Sequence, residues 1–223
     1  NFTNTILSTY GTEFYRKATH GEGFIRGFFN VIKSATTGTG AALERLFITG
    51  VSPVTMDDVT SGFNIGTNIT NDSWFNDLVG FSENELREML EYYKEQGVLQ
   101  ESIDEIVAMM KPNYDNYCFS EDTLEQCMFN SDMALYFLKS FVLHHKKPKE
   151  IVDPNIRTDF NKLAYLIKLD HGLGENFSVI KEIAEQGEII TDIVTHFSAL
   201  EMTDPSNFKS LLFYFGLLSI KGV

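Results

Sequence analysis

Residues 80–112 read GFSENELREMLEYYKEQGVLQESIDEIVAMMKP, and this stretch decides the fold class. Ser82 and Glu85 have the spacing of a capping box, in which the two side chains satisfy backbone N–H groups at the start of a helix. Phe81 and Leu86 have the spacing of the hydrophobic staple that accompanies such a cap. The pattern therefore predicts that a helix begins at this point.

The same stretch predicts a second helix directly after the first. Apolar side chains recur at helical spacing as far as Gly97, and a glycine at that place is typical of a helix end. Ser102 and Glu105 form a second capping box ahead of another apolar stripe, and Pro112 is expected to end that helix. A turn is expected over residues 114–119.

Helical spacing extends to both sides of this pair. The further predicted helices cover residues 4–18, 24–32, 133–145, 159–169, 179–183 and 204–215. Asp204 is expected to cap the last of them, with Pro205 at its first position. That helix is apolar nearly all round, so we expect it to be buried. We predict a mainly α fold.

Only two short segments predict strands. Residues 46–51 form a continuous apolar run bounded by turn residues, which is typical of a buried strand. Residues 188–194 are a second, weaker candidate. Residues 52–73 are rich in Thr, Asp, Asn, Ser and Gly and predict a long loop. Because a strand needs pairing partners, we expect those of the first strand to lie partly outside this sequence.

The composition is that of a globular protein with an acidic surface. The chain has 223 residues, 43% of them apolar, and a formal net charge of −13. This charge repels a phosphate backbone, so nucleic-acid binding by this chain alone is not expected. The one basic run, residues 144–149, is interpreted as a cationic helix end. Cys118 and Cys127 lack zinc-site spacing and suit a reducing compartment, which favours a cytoplasmic location.

The two ends of the chain lead to a further expectation. The sequence has no initiator Met, begins within an apolar periodic segment and ends shortly after a very apolar one. Natural termini are more often polar, so we expect a fragment of a larger protein. No apolar run is long enough to span a membrane, and no signal peptide is recognisable.

No constellation of residues predicts catalysis or metal binding. Gly38-Thr39-Gly40 lacks the lysine that a phosphate-binding loop needs and is interpreted as a connector. Asp170-His171 has the form of an acid-oriented base, but a helix-end histidine is the favoured interpretation. Asp57-Asp58 can hold Mg²⁺ or solvate a loop, and the loop is favoured. We therefore assign neither a catalytic residue nor a metal ligand.

Small hydroxyl side chains accompany the end of the predicted strand at residues 46–51. Ligands of open α/β sheets bind beyond the carboxyl ends of strands. Thr49 or Ser52 can therefore reach a phosphate or an attacking water, and a plain strand-end turn is the alternative.

Five segments, taken in order, carry a resemblance to a known family. They read FITGVSPVT at 47–55, DDVTSGFNI at 57–65, GFSENEL at 80–86, YDNYCF at 114–119 and DPNIRTDFNKL at 153–163. The set resembles the predicted AAA-ATPase family and spans essentially the whole chain. Members of that family carry an ATPase core with Walker A and Walker B motifs, and many carry a C-terminal domain of the PD-(D/E)XK nuclease type.

The resemblance implies a domain organisation. Walker A and Walker B would precede residue 1, and nuclease carboxylates would follow residue 223. Residues 1–73 would be the C-terminal remnant of the ATPase core, residues 74–149 a helical lid, and residues 150–223 a second helical unit, of winged-helix type in one alternative. The strand ending at Thr49 to Ser52 would occupy the sensor position, which implies γ-phosphate sensing by Thr49 or Ser52.

The function implied by the resemblance is regulatory. The chain would sense the nucleotide state of a parent protein that binds ATP and Mg²⁺, and would couple it to a downstream nuclease-like domain. Its partners would be the missing ATPase core and that domain, with a homo-oligomer left open and no membrane. The chain alone is expected to bind no cofactor tightly and to be inactive. The alternative is a protein- or peptide-binding helical module without nucleotide chemistry.

Overall fold

The structure is a computed structural model, and it describes residues 2–50, 66–153, 175–202 and 204–222. Within these ranges the chain forms seven α-helices and one antiparallel pair of short strands, which confirms the predicted mainly α fold. No helix in the described ranges is both long enough and apolar enough to cross a lipid bilayer. The helix predicted over residues 159–169 lies outside them.

The elements have the following bounds in chain order. The helices are α1 Phe2–Thr19, α2 Phe24–Thr36, α3 Glu83–Glu95, α4 Ile103–Tyr114, α5 Ser131–His144, α6 Glu175–Gln186 and α7 Pro205–Tyr214. The strands are β1 Asp115–Tyr117 and β2 Met128–Phe129, and short 3-10 helices lie at Ser73–Phe75, Glu121–Thr123 and Ala199–Glu201.

The chain divides into two compact units, one of residues 1–68 with 163–218 and one of residues 69–162 with 219–223. The three-part division at residues 73 and 149 stays a prediction.

The core of the first unit joins helices that are far apart in sequence. Tyr15 on α1 is fully buried in one apolar cluster with side chains of α6 and α7, including Val179, Phe208, Leu211 and Leu212. Burying an apolar side chain of this size stabilises a fold by about 1.5–3 kcal/mol. The predicted burial of the last helix is therefore confirmed, and its partners lie within this chain.

The core of the second unit is built by α3, α4 and α5 around the strand pair. Phe129 and Phe137 are almost fully buried there. Tyr114 meets Phe137 edge to face at 5.8 Å between ring centroids, and Phe137 stacks on Phe141 at 5.6 Å. The hydroxyl of Tyr114 donates a hydrogen bond to the carbonyl of Ile151 at 2.7 Å, so the segment after α5 is tied to the same core.

Helix α3 begins and ends as the sequence predicts. The hydroxyl of Ser82 accepts from the N–H of Glu85 at 3.2 Å, and the carboxylate of Glu85 accepts from the N–H of Ser82 at 2.8 Å. Gly97 follows the helix with φ 71°, and the N–H of Val98 donates back to the carbonyl of Tyr93 at 2.9 Å. This is the Schellman end that a glycine favours.

Helix α4 differs from its prediction in two respects. Ser102 occupies the cap position, but its side chain makes no capping hydrogen bond, so the second capping box is wrong. Asp104 and Glu105 in the first turn complement the positive end of the helix dipole instead. Pro112 lies inside the helix, which continues to Tyr114. Proline lacks the N–H that would bond to the carbonyl of Ala108, yet the helix continues for two residues beyond it.

Both predicted strands are wrong wherever the structure describes them. Residues 46–50 and 188–194 have no regular structure, and Leu46, Phe47 and Ile48 are exposed. The strands that do pair are β1, which lies in the predicted turn, and β2. Phe81 extends the pair, because its N–H and carbonyl exchange hydrogen bonds of 2.9 and 2.7 Å with Phe129. A short strand exists only where a neighbour pairs with it, and an apolar run cannot supply that neighbour.

We expect the two serine caps to respond differently to alanine. Ser82→Ala removes a capping box that is present and should lower the free energy of unfolding by about 1 kcal/mol. Ser102→Ala is the matched control and should change it by less than about 0.5 kcal/mol, because no cap hydrogen bond is lost. Urea unfolding followed by circular dichroism measures both values. Equal losses in the two variants would contradict the assignment of the caps.

Candidate functional site

Thr49 lies in an exposed segment without regular structure. Ser52 lies outside the described residues, so the structure places only one of the two hydroxyls predicted to sense nucleotide. The side chain of Thr49 is open to a ligand that arrives from solvent. Its sensing role stays a prediction, because the described residues place no phosphate-binding loop beside it.

Thr49 follows a helical hairpin formed by α1 and α2. Ala18 at the end of α1 shares a small buried cluster with Ile25 and Phe29 of α2. Gly23 lies at the turn, where an added Cβ would be 2.3 Å from the carbonyl oxygen of Ala18. Because this distance is far below van der Waals contact, the turn requires glycine. The close packing of the two helices thus depends on one residue.

Helix α2 has one broad apolar face and a polar face opposite it. Ile25 and Phe29 are buried against α1, whereas Phe24, Phe28 and Val31 are exposed. The exposed three are spaced i, i+4 and i+7, so they form one continuous stripe. Together with the buried residues this stripe makes one broad apolar face, of which α1 covers only a part.

An open cleft of about 540 Å³ lies in the first unit, lined by His196, Phe197, Glu201, Asp204 and Asn207. Its polar groups are largely engaged in local structure. The carboxylate of Asp204 accepts from the N–H of Ser206 at 3.1 Å, which confirms it as the cap of α7, and the amide of Asn207 donates to the carbonyl of Glu201 at 3.0 Å. We therefore interpret the cleft as a product of helix capping and not as a catalytic site.

The basic run at residues 144–149 begins at the end of α5. His145 ends the helix in the left-handed conformation with φ 50°, and its Nδ1 lies 3.0 Å from a carboxylate oxygen of Glu101. The basic run therefore lies at the end of this helix, as predicted, and its charge interaction with the helix stays a prediction. Asp57-Asp58 and Asp170-His171 lie outside the described residues.

Cys118 and Cys127 are free thiols near the strand pair. Burial raises the pKa of Cys127, and the charge of Asp115 acts in the same direction. The thiol of Cys127 is thus neutral near pH 7, and metals bind the thiolate. In the part of the chain that the structure describes, no group of three His, Cys, Asp or Glu residues is placed to hold a metal ion.

A network of charged side chains joins α3 to α4. The guanidinium of Arg87 contacts Glu83 at 2.8 Å and Asp104 at 2.7 Å, and Lys111 contacts the second oxygen of Glu83 at 2.6 Å. The hydrogen bonds from Lys111 and Arg87 lower the pKa of Glu83 below its ordinary value of 4.5. The network links the two helices at their surface, and each of its four side chains is paired with another.

A family model described as "Predicted AAA-ATPase" matches residues 1–60. No curated protein and no solved structure matches the chain. Residues 1–60 are similar to predicted AAA-ATPases. The match to the AAA-ATPase model covers α1, α2 and the segment with Thr49 and Ser52, and it ends before α3. The AAA-ATPase model does not cover the similar segments after residue 60. Their resemblance to the family, and the link to a nuclease-type domain, therefore stay predictions from the sequence.

The glycine at the hairpin turn offers a test of the packing of α1 on α2. Gly23→Ala should lower the free energy of unfolding by about 1–3 kcal/mol, because the new methyl group overlaps the backbone of Ala18. Gly27→Ala, in the middle of α2 with open space around the site, is the control and should raise it by about 0.5–1 kcal/mol. Denaturant unfolding measures both. A neutral Gly23→Ala variant would disprove the close approach.

The charged network predicts a pH dependence. Because the folded-state pKa of Glu83 is lowered, its contribution is present above the unfolded-state pKa and is lost as the pH falls through the folded-state value. Glu83→Gln should cost at most about 1 kcal/mol at pH 7, since water screens partly exposed pairs, and this difference should shrink as the pH falls toward the folded-state pKa of Glu83. Glu91→Gln on the same helix is the control and should show no such trend. Urea unfolding between pH 3 and pH 7 measures both.

Proposed function

We propose that the chain is a regulatory part of an AAA-type ATPase, in which residues 1–60 respond to the nucleotide state. The observation that carries this proposal is the match of these residues to the AAA-ATPase model. ATP and Mg²⁺ would bind to parts of the parent protein that this sequence does not contain. The sequence has no GxxxxGK[ST] loop, and the described residues do not fit a phosphate cradle, so we derive no chemical step.

The exposure of the Thr49 segment supports a sensing role for Thr49. A threonine hydroxyl can donate a hydrogen bond to a γ-phosphate oxygen or orient a water molecule, provided that it is not already enclosed by its own chain. Thr49 is exposed and meets this condition. Ser52 is proposed for the same role from its place in the sequence.

The partly uncovered apolar face of α2 supports a position at the surface of a larger core. Phe24, Phe28 and Val31 lie within the residues matched by the AAA-ATPase model, and they form a stripe that α1 leaves uncovered. An exposed stripe of aromatic and aliphatic side chains is unfavourable in water by about 25 cal/mol per Å². Packing against the rest of an ATPase core would remove this cost.

The burial of Tyr15 supports a route for coupling. Because Tyr15 is fully buried in one cluster with side chains of α6 and α7, a displacement of α1 would disturb the core that these helices share. Packed cores resist such disturbance. We propose that nucleotide-dependent movement of residues 1–60 reaches the C-terminal helices by this contact, and from there a nuclease-like effector.

The helical unit around α3, α4 and α5 is proposed as the lid. One continuous buried cluster and the Glu83 network hold its three helices together. A unit of this kind moves as one body, which is the property that a nucleotide-dependent lid requires.

The test uses the protein encoded by the whole reading frame that contains these 223 residues. Thr49→Ala should lower the rate of ATP turnover by at least about tenfold with little change in KM, because one hydrogen bond near the transferred phosphate is lost. Thr49→Ser keeps the hydroxyl and is the matched control, which should stay near the wild-type rate.

Three outcomes would contradict the proposal in different ways. An unchanged rate in Thr49→Ala would remove the sensing role of that residue. Failure of the whole protein to bind or hydrolyse ATP would remove the ATPase function and favour the peptide-binding alternative. Turnover by the 223-residue chain alone would show that a nucleotide site exists within it.

A further inference from the structure

An exposed apolar surface lies on the loop ahead of α3. It consists of Trp74, Phe75, Leu78 and Val79, and the side chains of Trp74, Leu78 and Val79 are 89%, 52% and 57% exposed. Single apolar side chains on a surface are ordinary, whereas four within six residues form a patch. Such patches mark interaction sites, and tryptophan is the residue type most enriched among side chains that dominate binding energy. We call these four residues the Trp74 surface.

The loop that carries the Trp74 surface is fixed in place. Asn76, only 3% exposed, donates from its amide to the carbonyl of Gln126 at 2.9 Å and accepts from the N–H of Phe119 at 3.1 Å. The carboxylate of Asp72 accepts from the N–H of Trp74 at 2.9 Å and caps the short 3-10 helix. Because the backbone is already held, binding costs less conformational entropy than it would on a free loop.

Negative charge surrounds the Trp74 surface. The 3-10 helix at Ser73–Phe75 packs against the one at Glu121–Thr123. The surrounding carboxylates are exposed, and none of them forms an ion pair within the described ranges: Asp72, Asp77, Glu121, Asp122 and Glu125. Residues 69–80 and 115–130 contain no Lys, Arg or His. An apolar centre bordered by these acidic side chains is therefore presented to solvent.

We propose that the Trp74 surface binds a basic amphipathic segment of a partner protein, whose apolar side chains cover Trp74 while its Lys or Arg side chains meet the acidic border. Charge complementarity selects this occupant. Nucleic acids and anionic membranes are repelled by the border, and a second copy of the chain would bring like charges together. The proposal goes beyond the ATPase function and does not rest on it.

The chain carries its own reporter for this binding. Trp74 is its only tryptophan, so emission that is excited selectively from tryptophan, and not from the nine tyrosines, reports on this surface alone. In the free chain the emission should be that of a water-exposed indole and should be quenched readily by acrylamide. The probe is a synthetic helical peptide with leucine on one face and lysine on the other. Its addition should shift the emission to shorter wavelength and reduce quenching, and a peptide with glutamate in place of lysine should do neither.

Variants test the apolar and the acidic side chains of this surface separately. The double variant Leu78→Ser with Val79→Ser should raise the Kd of the leucine–lysine peptide by about tenfold or more, as expected for side chains at the centre of an interface. Ile190→Ser, at a residue that is 98% exposed elsewhere, is the apolar control and should leave the Kd unchanged. The double variant Asp77→Asn with Glu121→Gln should raise the Kd and make it depend less on salt concentration. Glu182→Gln, which removes a carboxylate elsewhere, is the acidic control and should leave the Kd unchanged. Circular dichroism verifies that each variant is folded.

Several results would overturn the proposal. A Trp74 emission that is already blue-shifted and protected in the free chain would show that the surface is covered. Equal binding by the Leu78/Val79 double variant, or equal weakening by Ile190→Ser, would show general adhesion of the peptide. Tighter binding of anionic vesicles than of the peptide would indicate a membrane as the occupant, and a concentration-dependent dimer in sedimentation, lost in the double variant, would indicate a second copy.

Discussion

The burial of Tyr15 is the contact on which the organisation of the first unit depends. Helices α1 and α2 are followed by a long interval of sequence before α6 begins, and no local pattern indicates which later helix they meet. Tyr15 has no exposed surface and belongs to the same buried cluster as Val179, Phe208 and Leu211. The residues similar to AAA-ATPases therefore share a hydrophobic core with the C-terminal helices, because Tyr15 of their first helix lies in that core.

The helices could be predicted from the sequence because their signals are local. A capping box, a left-handed glycine and an apolar stripe each act within one or two turns, and at Ser82, Gly97 and Asp204 the chain forms the structure that the pattern indicates. Ser102 shows the limit of this reasoning. Its spacing permits a capping box, but the hydroxyl makes no cap hydrogen bond, so spacing alone does not decide whether the box forms.

The strands could not be predicted, since their existence depends on residues far away in the sequence. Leu46, Phe47 and Ile48 have the composition of a strand, but no strand among the described residues pairs with them. Asp115–Tyr117 has the composition of a turn, yet it pairs with Met128–Phe129, and Phe81 adds a third pairing segment from before α3. For the candidate site the same limit applies. The sequence indicates which hydroxyls are available at Thr49 and Ser52, whereas a phosphate-binding role is decided by what lies opposite them.

The Trp74 surface is a proposed binding site that the composition of its loop does not indicate. In the sequence, Trp74 lies in a predicted loop, and nothing there indicates that its position is fixed. In the structure, the buried amide of Asn76 holds this loop by hydrogen bonds to the backbone of Gln126 and Phe119. A buried amide with both of its groups satisfied constrains the backbone more strongly than an exposed turn does. The exposure of Trp74 is therefore imposed by a neighbouring residue, and an exposure that the fold maintains at a cost in solvation is the kind that a binding partner can relieve.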